Sequence, residues 1–176
     1  MIRVGVSACL LGERVRYDGG HKRNAVIVDL LGPRFTWVPI CPEMEIGLGA
    51  PREPVWLTGD PHAPRMQGVR GARDLVPEMT AYARRRAREL AALDIAGVLK
   101  SASPSCGLRD VPVWNDDGAH GASRPGRGLF AAALTAAWPG LPVVEEGHLV
   151  DPAGREDFVA RVLAYAARSR GHMTAA

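Results

Sequence analysis

The residues best suited to chemistry are three cysteines, and each of them follows a predicted strand. Cys9, Cys41 and Cys106 all stand where an apolar run gives way to polar residues. If the strands at 2–6, 35–40 and 95–99 are parallel neighbours, their carboxyl ends share one edge of a sheet, where open α/β sheets bind ligands. Three thiolates would then converge on one metal ion or cluster. Their wide spacing matches neither a zinc ribbon nor a ferredoxin run, and the alternative is that all three are small buried residues.

Carboxylates and hydroxyls accompany two of these cysteines. Glu43 and Glu45 follow Cys41 closely enough for either to act as an acid, a base or a partner of a metal ligand. The alternative is that one carboxylate is solvated and the other caps a turn. Cys106 lies in the segment 100–107, whose hydroxyls, proline and glycine offer many donors and little packing area. Such a segment is typical of a binding loop.

Composition narrows the class of protein. At 176 residues with 47% hydrophobic content, the chain is long enough to bury a core as one domain, 1–176. No apolar run approaches the length of a membrane span, and the first residues lack the features of a signal peptide, so we expect a soluble, cytoplasmic protein with no membrane partner. The odd count of 3 cysteines argues against a disulfide framework. A net charge of +3 is far below that of a dedicated nucleic-acid binder.

The remaining elements follow from hydrophobic periodicity and from breaker residues. We predict further strands at 54–57, 111–114 and 141–144, and helices at 24–31, 74–93, 129–138 and 155–169. Asn24 is the predicted cap of the first of these helices. Glycines and prolines make 58–73 a predicted mobile loop that could act as a lid. Gly126, Arg127 and Gly128 precede the third helix and form a predicted phosphate site through exposed amides.

Taken in order, these motifs resemble the thiouracil desulfidase family, iron-sulfur enzymes that remove sulfur from thiolated uracil compounds. The resemblance rests on the segments 6–12, 16–22, 41–52 and 100–107 and covers nearly the whole chain. It implies a Rossmann-like, three-layer α/β fold with a mainly parallel sheet. At the carboxyl ends of its strands it implies a [4Fe-4S] cluster that is held by Cys9, Cys41 and Cys106 alone.

The resemblance also implies a mechanism without net redox change. The fourth iron polarises the thiocarbonyl sulfur of the substrate, water attacks the ring carbon, and sulfide leaves. Glu45 is the candidate that activates the water, with Glu43 as the rival base, and Ser101 positions the substrate. Asp18 and Lys22 are expected to contact the ring or a phosphate of the substrate. The hydroxyls of two further loop residues are expected to donate to the cluster or the substrate, namely Ser103 and Ser105.

The expected substrates are 2-thiouracil, 4-thiouracil or 4-thiouridine monophosphate, and the phosphate of a nucleotide would suit the predicted site at 126–128. The motif 45–49 and the segment 141–158 resemble the corresponding parts of longer family members. Those members carry a second domain, and the resemblance implies that their substrate is 4-thiouridine in transfer RNA. Because the chain stops at Ala176, we expect either a free base or nucleotide as substrate, or a partner that binds the RNA. Iron-sulfur assembly machinery is a further expected partner.

Two other functional classes remain open at this point. A zinc hydrolase could use the same three thiolates, and analysis of the bound metal would separate it from an iron-sulfur enzyme. An iron-sulfur sensor or RNA-binding module could carry the cluster for structural reasons. Full cysteine ligation is expected for such a cluster, and the presence of only 3 cysteines argues against that class.

Overall fold

A computed structural model describes residues 1–71, 73–91, 96–115 and 123–173, and it contains two four-stranded sheets with helices packed on them. The strands are β1 (Ile2–Ser7), β2 (Phe35–Ile40), β3 (Val55–Asp60), β4 (Ala63–Gly68), β5 (Ala96–Leu99), β6 (Val111–Trp114), β7 (Arg124–Gly126) and β8 (Val143–Glu145). The α-helices are α1 (Ala8–Leu11), α2 (Pro42–Glu45), α3 (Val76–Ala91), α4 (Leu129–Ala137) and α5 (Pro152–Met173). Shorter helical turns are a π-helical one at Val26–Leu31 and two 3₁₀ ones at Gly32–Arg34 and Glu146–Leu149.

The first sheet is entirely parallel, which confirms the predicted α/β class. Its strand order is β2-β1-β5-β8. The register places Ser7 beside Ile40 and Leu99 beside Glu145, so the four strands end at one edge. The chain runs from β1 to β2 on one side and later returns to β5 on the other. This edge is therefore a topological switch point, which is the place where α/β sheets open a crevice.

The second sheet was not predicted, and it corrects the interpretation of 58–73 as a mobile lid. Its order is β4-β3-β6-β7, and β3 and β4 form an antiparallel hairpin across most of that segment. Gly59, Pro61 and Pro64 lie in and beside a tight turn, where the amide of His62 donates to Asp60 Oδ1 at 2.9 Å. Pro64 is tolerated because β4 is an edge strand. Leu57 and Met66 anchor the hairpin because both are fully buried.

Two apolar clusters hold the sheets and helices together. One packs α3 and α4 against the second sheet, with Met79, Tyr82 and Phe130 fully or almost fully buried. The other packs α5 against the parallel sheet, with Val6 and Phe158 at 0% exposure. Burial on both faces explains why the inner strand β5 and the second half of β1 are continuous apolar runs.

Several predicted element boundaries moved. The helix predicted at 24–31 is a π-helical turn, and Asn24 Oδ1 accepts the amide of Ile27 at 3.2 Å as the predicted cap should. The last helix begins at Pro152 and continues to Met173, beyond the predicted end. The predicted end of α3 at Leu93 and the predicted start of β5 at Ile95 lie outside the described residues. Among the helices that are described, none combines the length and the apolar character of a membrane span.

Candidate functional site

The three cysteines lie at the carboxyl edge of the parallel sheet and face one cavity. Cys9 is in α1 directly after β1, Cys41 follows β2, and Cys106 is in the loop after β5. All three line a cavity of about 170 Å³. Parallel pairing of β1 with both β2 and β5 is what brings these distant residues together. The donor set is therefore three thiols from three separate strand ends.

The loop that carries Cys106 is held by hydrogen bonds to a helix and within itself. Ser103 Oγ accepts the amides of Ser105 and Cys106 at 3.3 and 3.0 Å. The first amides of α4 then donate to loop carbonyls, from Gly128 to Gly107 at 2.8 Å and from Leu129 and Ala131 to Pro104 and Ser105 at 3.0 Å. These bonds satisfy helix amides that would otherwise lack partners. They fix the backbone on both sides of the thiol.

The structure places the residues of the predicted phosphate site, Gly126, Arg127 and Gly128, apart from the cysteine cavity. The Gly128 amide is already used by the cysteine loop, and the Arg127 guanidinium donates to Leu108 O at 3.0 Å and to Thr135 Oγ1 at 2.8 Å. These three residues are not among the described residues that line the cysteine cavity. The amides of Gly128, Leu129 and Ala131 already donate to loop carbonyls, so they are not exposed to an anion as the prediction required. Gly128 instead allows α4 to pack closely against the loop that carries Cys106.

Burial raises the pKa of all three thiols. Desolvation is the largest cause at each, and it raises the pKa of Cys41 from 9.0 to about 12. The pKa of Cys9 is also raised by burial, although the cationic Arg16 and Lys100 oppose the shift. Complete burial raises the pKa of Cys106 well above 9.0. Because a thiolate is the metal ligand, iron binding has to displace these protons.

The donor set fits an iron-sulfur cluster. Thiolates are the preferred protein ligands of such clusters, and in a [4Fe-4S] cluster each cysteine binds a different iron. Three thiols from three strand ends around one cavity are a donor set that such a cluster takes.

The two carboxylates after Cys41 have different surroundings. Glu43 is 7% exposed and lines the cavity, with Oε2 at 3.7 Å from Cys41 Sγ and Oε1 accepting the hydroxyl of Ser105 at 2.8 Å. Glu45 is not among the described lining residues, because its Oε1 accepts the Cys41 amide at 3.2 Å and its Oε2 lies 3.5 Å from Arg86 Nε on α3. Residues two apart in a helix do not face the same way. The geometry thus favours Glu43 at the cavity.

Part of the cavity wall is polar and cationic. Lys100 and Ser101 line it, and both side chains are held by Glu146, which follows β8. Arg16 and Arg52 also line the cavity. Sequence reasoning missed a role for Arg16, Arg52 and Glu146. The signal for Glu146 was its position directly after the last strand of a parallel sheet.

The other predicted substrate residues differ in whether they line the cavity. Ser103 lines the cavity. The fully buried Ser105 is not among the described lining residues and instead donates its hydroxyl to Glu43. Asp18 is exposed, and its pKa is lowered mainly by the amide of Gly20, which donates to Oδ1 at 2.9 Å. Lys22 has an exposed side chain, and its amide donates to the Cys9 carbonyl at 2.8 Å. Neither Asp18 nor Lys22 is among the described lining residues.

Comparison with known proteins identifies the family that the chain resembles. A family model described as 2-thiouracil desulfurase matches residues 4–146, which include all three cysteines. An uncharacterized protein of Bacillus subtilis (strain 168), YbbK, is 31% identical over 154 residues, or 83% of this chain and 97% of that protein. A solved structure named [4Fe-4S]-dependent thiouracil desulfidase TudS (DUF523Vcz) is similar with a TM-score of 0.68 at 32% identity. The match covers 87% of this chain and 96% of that chain.

Proposed function

Because the chain belongs to the 2-thiouracil desulfurase family, we propose that it is a [4Fe-4S]-dependent desulfidase of a free thiolated uracil base or nucleotide. The observation that carries this proposal is the convergence of Cys9, Cys41 and Cys106 on one cavity. The structural similarity to a thiouracil desulfidase whose name includes the cluster supports it independently.

Cys9, Cys41 and Cys106 would hold three of the four irons of the cluster and would leave one iron without a cysteine ligand. When bound, such a cluster supplies a Lewis acid that polarises the thiocarbonyl of the substrate. The protein contributes the residues that line the cavity and the hydrogen bonds that hold the ligand cysteines. Loop bonds to α4 keep Cys106 in place, and the Lys22 amide holds the carbonyl of Cys9.

Glu43 is the residue that we assign to proton transfer at the cavity wall. Its carboxylate is buried, lines the cavity and is oriented by the Ser105 hydroxyl. A base in that position can take a proton from an attacking water and return it to the departing sulfur or to the ring. Glu45, which the family resemblance suggested, is instead tied to Cys41 and Arg86. Its role in this proposal is to orient the Cys41 backbone.

Ser101, Lys100 and the two cavity arginines provide the polar contacts for the substrate ring. A pyrimidine has alternating donors and acceptors on its edge, which match a wall that offers a hydroxyl and several cationic N–H groups. The cations Arg16 and Arg52 also suit a phosphate if the substrate is a nucleotide.

The experiment is sulfide release after anaerobic loading with iron and sulfide, with 2-thiouracil, 4-thiouracil, 4-thiouridine monophosphate and thiolated transfer RNA as separate substrates. We expect turnover of at least one of the three small substrates. Glu43→Gln should lower kcat by about 100-fold or more, the usual contribution of a general base. Glu45→Gln makes the same chemical change two residues away and should cost much less. A larger loss in Glu45→Gln would reverse the assignment, and release from transfer RNA alone would refute the small-molecule proposal.

A further inference from the structure

Lys100, Ser101 and Glu146 form a closed hydrogen-bond network at the edge of the cavity. Glu146 Oε1 accepts from Lys100 Nζ and, at 2.8 Å, from Ser101 Oγ, while Oε2 accepts the Ser101 amide at 2.7 Å. Lys100 Nζ also donates to Ser101 Oγ at 2.9 Å. The two segments meet because β5 and β8 are paired with Leu99 opposite Glu145. The next residue along each strand is therefore Lys100 on one and Glu146 on the other.

The network determines which way the Ser101 hydroxyl can bond. An ammonium group only donates, so Ser101 Oγ has to accept from Lys100. An ionised carboxylate only accepts, so the hydroxyl proton has to point to Glu146. A hydroxyl has one proton and two lone pairs, and one lone pair is left. Ser101 can then meet a ligand in the cavity only as a hydrogen-bond acceptor.

The surroundings of Glu146 favour the ionised form on which this depends. Burial opposes the charge, but the hydrogen bonds from Lys100 and from the amide and hydroxyl of Ser101 outweigh it and lower the pKa of the carboxyl. Lys100 and Glu146 have side chains that are only 20% and 14% exposed. The pair is therefore shielded from competing solvent, unlike a surface ion pair.

We infer that Glu146 is a positioning residue that, with Lys100, fixes Ser101 as the acceptor for the N3–H group of the uracil ring. The inference rests on the proposed function and deepens it. In 2-thiouracil and 4-thiouracil alike, N3 lies between C2 and C4 and so neighbours the thiocarbonyl. In a nucleoside, N1 carries the sugar, and N3–H is the ring N–H that remains. An acceptor at Ser101 thus selects the one donor that all of these substrates share.

The first test compares 4-thiouracil with its N3-methyl derivative. The wild-type enzyme should process the methylated compound with a kcat/KM lower by about tenfold or more, since one well-made hydrogen bond is lost. In Ser101→Ala, the ratio of kcat/KM for 4-thiouracil to kcat/KM for its N3-methyl derivative should fall towards one. A purely steric effect of the methyl group is separated by Glu146→Gln, which leaves Ser101 in place. The glutamine oxygen accepts the Ser101 amide, and its NH₂ group then donates to Ser101 Oγ, which frees the hydroxyl proton.

For Glu146→Gln with 4-thiouracil as substrate, we expect KM to rise by about tenfold while kcat stays within about threefold, and the penalty for N3 methylation should shrink. Glu156→Gln makes the same change at an exposed position on α5 and should alter neither value. Calorimetric binding of uracil and 3-methyluracil to the cluster-loaded protein gives a readout without turnover. Uracil keeps N3–H and has no sulfur to release.

The inference is overturned if Ser101→Ala keeps the wild-type penalty for N3 methylation, and the positioning role of Glu146 is overturned if a folded Glu146→Gln variant keeps it. If Glu146→Gln fails to fold, which thermal unfolding will reveal, Ser101→Ala carries the same comparison. If wild-type protein releases no sulfide from any thiouracil, the proposed function fails. Preference for uracil over 3-methyluracil in binding, lost in Ser101→Ala, would then still support the N3 contact, and equal binding would refute it.

Discussion

Replacing Gly128 with alanine should dislodge the loop that carries Cys106. A Cβ at this position would lie 2.5 Å from Ser105 C and 2.8 Å from Cys106 N, and closer still to Ser105 O. These are backbone atoms, so no side-chain rotation relieves the overlap. The loop has to move away from α4, which weakens up to three hydrogen bonds of 2.8–3.0 Å. Overpacking and the lost bonds together should cost about 2–4 kcal/mol of the free energy of unfolding.

Thermal unfolding and iron content measure this effect. For a chain of this size the loss corresponds to a decrease of about 5–15 °C in Tm. Displacement of Cys106 should also lower the iron and sulfide bound after anaerobic loading. Gly140→Ala is the matched control, because a Cβ there would meet nothing within 4 Å. A Gly128→Ala protein with the Tm and iron content of Gly140→Ala would refute the claim that close packing on α4 holds the ligand loop.

Two further predictions concern the iron-free chain. Because burial raises the pKa of Cys41 from 9.0 to about 12, the folded chain keeps a proton that the unfolded chain loses, so this contribution to stability is complete below pH 9 and declines between about 9 and 12. Urea unfolding across that range checks it, and Cys41→Ala should flatten the decline; an equally steep decline in the variant would contradict it. Arg52→Met removes donors from Val15 O and Gly49 O at 2.8 and 2.7 Å and should cost about 2 kcal/mol in urea unfolding, whereas the exposed Arg34→Met should cost little. Equal losses in the two variants would contradict a structural role for Arg52.

The parallel sheet was predictable because its strands are largely apolar runs and each ends at a polar or reactive residue. The runs before Cys9 and Cys41 carry that pattern, and parallel pairing then dictates one shared edge. The second sheet was not predicted because its first two strands and the turn between them contain residues that usually mark loops. Gly59, Pro61 and Pro64 indicate a loop by composition, yet they occupy a hairpin turn and an edge strand, where they are tolerated.

Within the site, the local sequence predicted which residue types carry the chemistry better than it predicted which way their side chains face. Glu43 and Glu45 were both visible as carboxylates near a thiol, but which of them faces the cavity depends on how α2 packs against α3. The role of Glu146 depends on the register between β5 and β8, which sequence spacing does not reveal. The amides at Gly128 looked free because the loop that occupies them comes from about twenty residues earlier in the chain.

The proposed function depends on Cys9, Cys41 and Cys106 together holding a [4Fe-4S] cluster with one open iron. Iron and acid-labile sulfide per chain should therefore be measured after anaerobic loading, for the wild type and for each cysteine replaced singly by serine. We expect about four irons and four sulfides in the wild type, as the cluster formula requires, and a severe loss in every variant. Zinc in place of iron, or a full iron content in any one of the three variants, would contradict this assignment.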